Sequence, residues 1–158
     1  MAAVYFEQDF GYALVSAVPL QESGATGIGI VYKARDRSTV TTECLAVEGT
    51  GTLEATYDAV MRVLERAREQ GPRRITIYVD EPVVIEQLVG GGEVPRELLS
   101  KNLQTRGMLH QLGGVRLVAA HSPRFSARFL AKGAHIEGRS SEPGTSRQLS
   151  LLPEDATA

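Results

Sequence analysis

Ile75-Thr76-Ile77-Tyr78-Val79-Asp80-Glu81-Pro82-Val83-Val84-Ile85-Glu86-Gln87 is the stretch from which the rest of the chain can be read. Arg74 to Asp80 (RITIYVD) is dense in β-branched and aromatic residues, the composition of a strand. It runs straight into Glu81-Pro82, and proline suits the first turn of a helix because the N–H it lacks has no helical partner there. Gly90-Gly91-Gly92 then breaks the short helix. Asp80 is thereby expected at a strand end, one step before a helix begins.

Working outward toward the N-terminus, the period changes. Leu53, Tyr57, Val60, Leu64 and Ala67 step by four, three, four and three, which places them on one stripe of a helix ended by Gly71-Pro72. Before it, Tyr12 to Val18, Gly27 to Lys33 and Thr39 to Val47 read as three strands joined by short turns, an antiparallel meander. Toward the C-terminus, Pro95 opens a helix reaching about Leu112. Val115 to Ala120 is a fifth strand, and Arg124 to Ala134 a last helix. The expected fold class is α/β: a five-stranded mixed sheet, its first three strands antiparallel, with helices packed on it.

Composition bounds the rest. The 158 residues, 42% apolar and 23% charged, suit one globular domain, and such a chain buries roughly 70% of its unfolded surface without a staple. The single cysteine, Cys44, excludes an internal disulfide and any zinc site built on paired cysteines. No run approaches a membrane span, and MAAVYFEQDF carries acids where a secretory signal needs bases, so a cytoplasmic location is expected. After about Glu137 the chain turns to Gly, Ser, Pro and Glu. It divides as a domain over 1–136 and a flexible tail over 137–158.

Those elements, with these residues, resemble the ribonuclease H family over about Tyr12 to Ala134. The residues that carry the resemblance are Tyr57-Asp58-Ala59-Val60-Met61-Arg62-Val63-Leu64, similar to the family's first long helix; ITIYVDEPVVIEQ, similar to its fourth strand and following helix; Ala127 to Ala134 (ARFLAKGA), similar to its last helix; and Gly27-Ile28-Gly29, which fits its second strand. The resemblance implies the ribonuclease H fold. For an active member it also implies two Mg²⁺ ions held by four carboxylates, because hard cations want oxygen ligands and paired ions activate a water.

Carried over one at a time, the four carboxylate positions fall on Ser16, Thr56, Asp80 and Arg128. Only Asp80 keeps its acid. A guanidinium at position 128 repels cations, and its expected partner is Asp80 itself. Glu54 is no substitute, since two helical steps turn a side chain by about 200°. Glu7, Asp9 and Glu81 are not placed to replace the missing ligands either. No catalytic residue, resident metal or cofactor is therefore assigned; Mg²⁺ belongs only to an alternative in which an unconventional ligand set still cleaves RNA in RNA–DNA hybrids.

The family's grip on the RNA strand is reduced as well. Thr52 and Leu53 stand where asparagines precede the helix glutamate, and Gln21-Glu22-Ser23-Gly24 replaces a Gly-Asn-Pro-Gly type turn. His110, His121 and His135 have no ligand partners nearby in sequence. Net charge is −2, yet Lys101, Arg106, Arg116, Arg124, Arg128 and Lys132 occupy a stretch without Asp or Glu. Lys101, Arg106, Arg124, Arg128 and Lys132 are the candidate contacts to nucleic acid, DNA or an RNA–DNA hybrid. In the tail, Gln148-Leu149-Ser150-Leu151-Leu152 resembles the bacterial sliding-clamp-binding peptide, with Gln148 orienting and Leu149, Leu151 and Leu152 as apolar anchors. The expected function is a non-catalytic adaptor in bacterial DNA replication or repair, with no membrane partner. A dimeric protein–protein scaffold is a further alternative.

Overall fold

The computed structural model describes residues 9–20, 24–71, 74–120 and 126–133. The strands are β1 (Tyr12–Pro19), β2 (Thr26–Lys33), β3 (Thr39–Val47), β4 (Ile75–Val79) and β5 (Val115–Ala119). The helices are α1 (Thr52–Gln70), α2 (Pro82–Leu88), α3 (Leu99–Leu112) and α4 (Ser126–Lys132). The five strands form one sheet in the order β3-β2-β1-β4-β5. β1, β2 and β3 are antiparallel neighbours, while β4 runs parallel to both β1 and β5. This is the mixed sheet expected from the sequence.

Several strand ends, those of β1, β2, β4 and β5, move by one residue from that expectation, and the start of α3 moves further. Pro95 is extended, at φ −58° and ψ 151°, and the chain takes a 3-10 turn over Arg96–Leu98 before α3 begins at Leu99. Its φ would suit a helix, but its extended ψ makes Pro95 the cap and not the first helical residue. β5 stops at Ala119, one residue early; the N–H of Ala120 still bonds to the Val79 carbonyl.

Alternation along the strands sorts the two faces of the sheet. Ala13, Val15, Ile28, Ile30, Tyr32, Ile75, Ile77 and Val79 are buried in one core with Ala59, Val60, Val63 and Leu64 of α1, and Met108, Leu109 and Leu112 of α3 pack on its flank. On the opposite face, Val31 and Ala127 form a smaller core flanked by Leu14, Tyr78 and Leu130. So α1 and α3 cover one face and α4 the other. Gly27 and Gly29 make the α4 packing possible, because a β-carbon at either would overlap the carbonyl oxygens of Ala131 and Ala127. The helix rests on bare strand backbone, a close approach only glycine allows.

Candidate functional site

The α4 face and the C-terminal end of β4 bring three of the four compared positions together. Ser16 lies on β1 in register with Gly29, directly beneath α4, and is wholly buried. Its hydroxyl donates to Asp80 Oδ2 at 2.7 Å. The same oxygen receives Arg128 Nη2 at 3.1 Å. The Asp80 side chain is 5% exposed and that of Arg128 is 43% exposed, so the acid is sunk and its cation lies at the rim. Each partner is delivered by a regular element: β1 by its alternation, Asp80 by the stop of β4 before the proline-led α2, and Arg128 by α4 seated on the two glycines.

Thr56 does not join them. It is buried in the first turns of α1, on the other side of the sheet, and its hydroxyl donates to the Thr52 carbonyl of its own helix at 2.7 Å. A pair of divalent cations needs several oxygen ligands. Here one carboxylate oxygen already holds a hydroxyl and a guanidinium, and the guanidinium opposes any cation approaching it. These residues do not fit the metal pair that the family resemblance implies. Among the described residues, no three His, Cys, Asp or Glu side chains gather closely enough to hold a metal ion.

The basic run is divided in space. Lys101 and Arg106 sit on α3, against the α1 face; Arg128 and Lys132 sit on α4, against the other. Lys101 is also committed: its Nζ lies 2.6 Å from Asp58 and 3.1 Å from Glu54 of α1. An acid-free stretch of chain thus acquires acids from a neighbouring helix. Arg106 and Lys132 are exposed. Arg124, His121, His135 and the peptide Gln148, Leu149, Leu151 and Leu152 lie outside the described residues, as does Glu7.

Two polar clusters had no sequence signal. Glu43 on β3 accepts from Tyr32 (2.8 Å), Arg62 Nε (2.9 Å) and Arg66 Nε (3.3 Å). Desolvation pushes the Glu43 carboxyl up, but the Arg62 and Tyr32 hydrogen bonds and the two guanidiniums outweigh it, leaving the carboxyl below its usual range. Burial, then the neighbouring Glu43 charge, pushes the Tyr32 phenol far above its usual range. Between α1, α2 and α3, the Tyr57 hydroxyl donates to Gln87 Oε1 at 2.7 Å, while Asn102 Nδ2 donates to the Tyr57 oxygen at 2.9 Å. Each contact joins residues at least 11 apart, so only the assembled fold reveals them.

No protein-family model matches this sequence, and no curated protein matches it either. Solved structures do match in three dimensions. The N-terminal ribonuclease H domain of a Mycobacterium tuberculosis protein superposes with a TM-score of 0.66 at 22% identity, covering 78% of this chain and 93% of that one. Ribonuclease H1 from the archaeon Halobacterium salinarum gives 0.65 at 24% identity, over 78% and 95%. LC11 ribonuclease H1, solved in complex with an RNA/DNA hybrid, gives 0.66 at 21% identity, over 78% and 94%. The fold is that of ribonuclease H.

Proposed function

We propose that this chain is a non-catalytic ribonuclease H-like module that binds nucleic acid, DNA or an RNA–DNA hybrid, and acts as an adaptor in bacterial DNA replication or repair in the cytoplasm. The observation that carries the reading is the state of Asp80: its Oδ2 is taken by Ser16 at 2.7 Å and by Arg128 at 3.1 Å. An acid held this way balances a guanidinium in place of metal ions. The fold, shared with a ribonuclease H1 solved on an RNA/DNA hybrid, supports a nucleic-acid partner. Contact would fall to Arg106 on one face and to Lys132 and the half-exposed Arg128 on the other, with Arg124 beside them in sequence; Lys101, held by two acids where Arg128 has one, contributes least. The peptide Gln148-Leu149-Ser150-Leu151-Leu152 would tether the module to a sliding clamp.

The test is incubation with a labelled RNA–DNA hybrid in Mg²⁺ and in Mn²⁺, beside a titration of the same hybrid at rising salt. The expected result is salt-sensitive binding without cleavage, because phosphate contacts release counterions and weaken steeply with ionic strength. Metal-dependent cleavage abolished by Asp80→Asn would overturn the non-catalytic reading and favour an unconventional metal site. Absence of binding to hybrid, duplex and single strand at low salt would remove the nucleic-acid role.

A further inference from the structure

The sheet face that carries α4 is covered at one end. Gly29 meets the Ala127 carbonyl and Gly27 that of Ala131, so α4 starts over Gly29 and runs toward Gly27. Strand pairing sets the residues on the other side of Gly29 in two rows, Val31–Leu14–Tyr78–Val118 and then Lys33–Tyr12–Thr76–Arg116. Alternation puts both rows on the α4 face, because the intervening Ala13, Ile77 and Leu117 belong to the core under α1. α4, the one described helix on this face, runs away from the outer row. Two rings stand here on neighbouring central strands. Tyr12 of β1 and Tyr78 of β4 are diagonal neighbours and part-exposed, their centroids 6.3 Å and their planes 26° apart.

The Arg37 guanidinium lies over Tyr12, 4.2 Å from the ring centroid. The β2–β3 turn delivers it: the Ala34 N–H bonds to the Ser38 carbonyl at 2.8 Å, and Arg37 takes a left-handed φ of 75° that glycine would adopt without strain. Lys33 and Arg116 end the outer row, Arg35 precedes Arg37 in the turn, and Arg74 precedes β4. Among the described residues none of these five cations makes an ion pair. The nearby acids are engaged: Asp36 accepts from Ser38, and Asp9 has a partner of its own.

We propose that this row is a platform for single-stranded nucleic acid, with bases stacked on Tyr12 and Tyr78 and the cations on its phosphates. The proposal rests on the nucleic-acid reading above and adds to it a second surface and the form of the partner. Rings offered on a sheet face match unstacked bases, which a duplex keeps turned inward, and unpaired cations match a polyanion. A base reaching Tyr12 takes the place of the Arg37 guanidinium, which is then free for the adjoining phosphate.

Fluorescence anisotropy of a labelled oligothymidylate, beside an RNA–DNA hybrid, tests the platform on the full chain. Tyr12→Leu and Tyr78→Leu should each weaken oligothymidylate binding about tenfold, with the salt slope unchanged because stacking releases no counterions. Tyr78→Phe should bind as the wild type does. Arg37→Gln and Arg116→Gln should each lower the salt slope by about one. Arg68→Gln, on α1 at the opposite face, should change neither quantity. If circular dichroism shows a leucine variant unfolded, the two glutamine variants at positions 37 and 116 carry the test. Oligothymidylate binding that ignores all four variants overturns the platform. So does binding of the hybrid alone, an outcome that leaves the nucleic-acid reading in place; no binding of either probe overturns both. Self-association that Tyr12→Leu dissolves, without oligonucleotide binding, assigns the face to a protein and overturns the platform too.

Discussion

Glu43 and Asp80 are both carboxylates with arginine and hydroxyl partners, yet the sheet separates their surroundings. Glu43 stands within a strand beneath α1 and spreads its bonds over both oxygens, to Arg62, Arg66 and Tyr32. Asp80 stands just beyond a strand end, and a single oxygen takes both Ser16 and Arg128. The first arrangement joins β2, β3 and α1 within the domain. The second occupies the position where the family resemblance expects metal ions. Similar chemistry serves two purposes, and the address in the fold distinguishes them.

The most disruptive way to break the comparison is at Gly29. A β-branched side chain there would collide with the α4 backbone, so Gly29→Val should cost about 3 kcal/mol and separate Arg128 from Asp80. Urea denaturation reads the cost. Next comes Glu43→Gln, which leaves two guanidiniums without their counter-charge; the expected loss is about 2 kcal/mol, reduced from fully buried values because Arg62 is nearly half exposed. The same variant sharpens the contrast in pH. Since the folded Glu43 carboxyl lies below its ordinary value of 4.5, its stabilisation is full above that pH and fades as pH falls through the lower folded value. Urea midpoints measured down the acid limb should therefore fall less steeply in Glu43→Gln than in the wild type.

Smaller effects probe Asp80. Replacing its neighbours by acids, in the double variant Ser16→Asp/Arg128→Asp, should create a divalent-cation response: about 1.4 kcal/mol at tenfold excess of Mg²⁺ over its Kd. The wild type should show no such shift of its thermal midpoint. Asp80→Asn alone should cost about 1 kcal/mol or less, because the Arg128 guanidinium is 43% exposed and its attraction is screened by solvent, while the amide still accepts from Ser16. A loss as large as that of Glu43→Gln would erase the distinction between a carboxylate with one half-exposed arginine and one shared by two.

Much of the fold was legible because periodicity reports burial directly: the four-and-three steps of α1 and the β-branched run of β4 each face a core. Asp80 was legible through the proline-led helix that follows it, and its partnership with Arg128 through charge at compared positions. Glu43 was not, because its bonds depend on the β2–β3 register, including the irregularity between Tyr32 and Lys33, and on the rotation of α1 above it. Lys101 misled for a related reason. Acids are absent from its own segment of chain, but α1 brings Asp58 and Glu54 to it. Linear charge runs say little about fields once helices pack.

The glycines under α4 have one more consequence. Because main chain rests against main chain at Gly27 and Gly29, the separation between positions 128 and 80 is gauged by the backbone and is indifferent to which side chains occupy them. Such a mount works as a socket: an acid, an arginine or a neutral residue can be exchanged at the tip of the same rigid arm, so the chemistry can drift while the spacing is inherited unchanged.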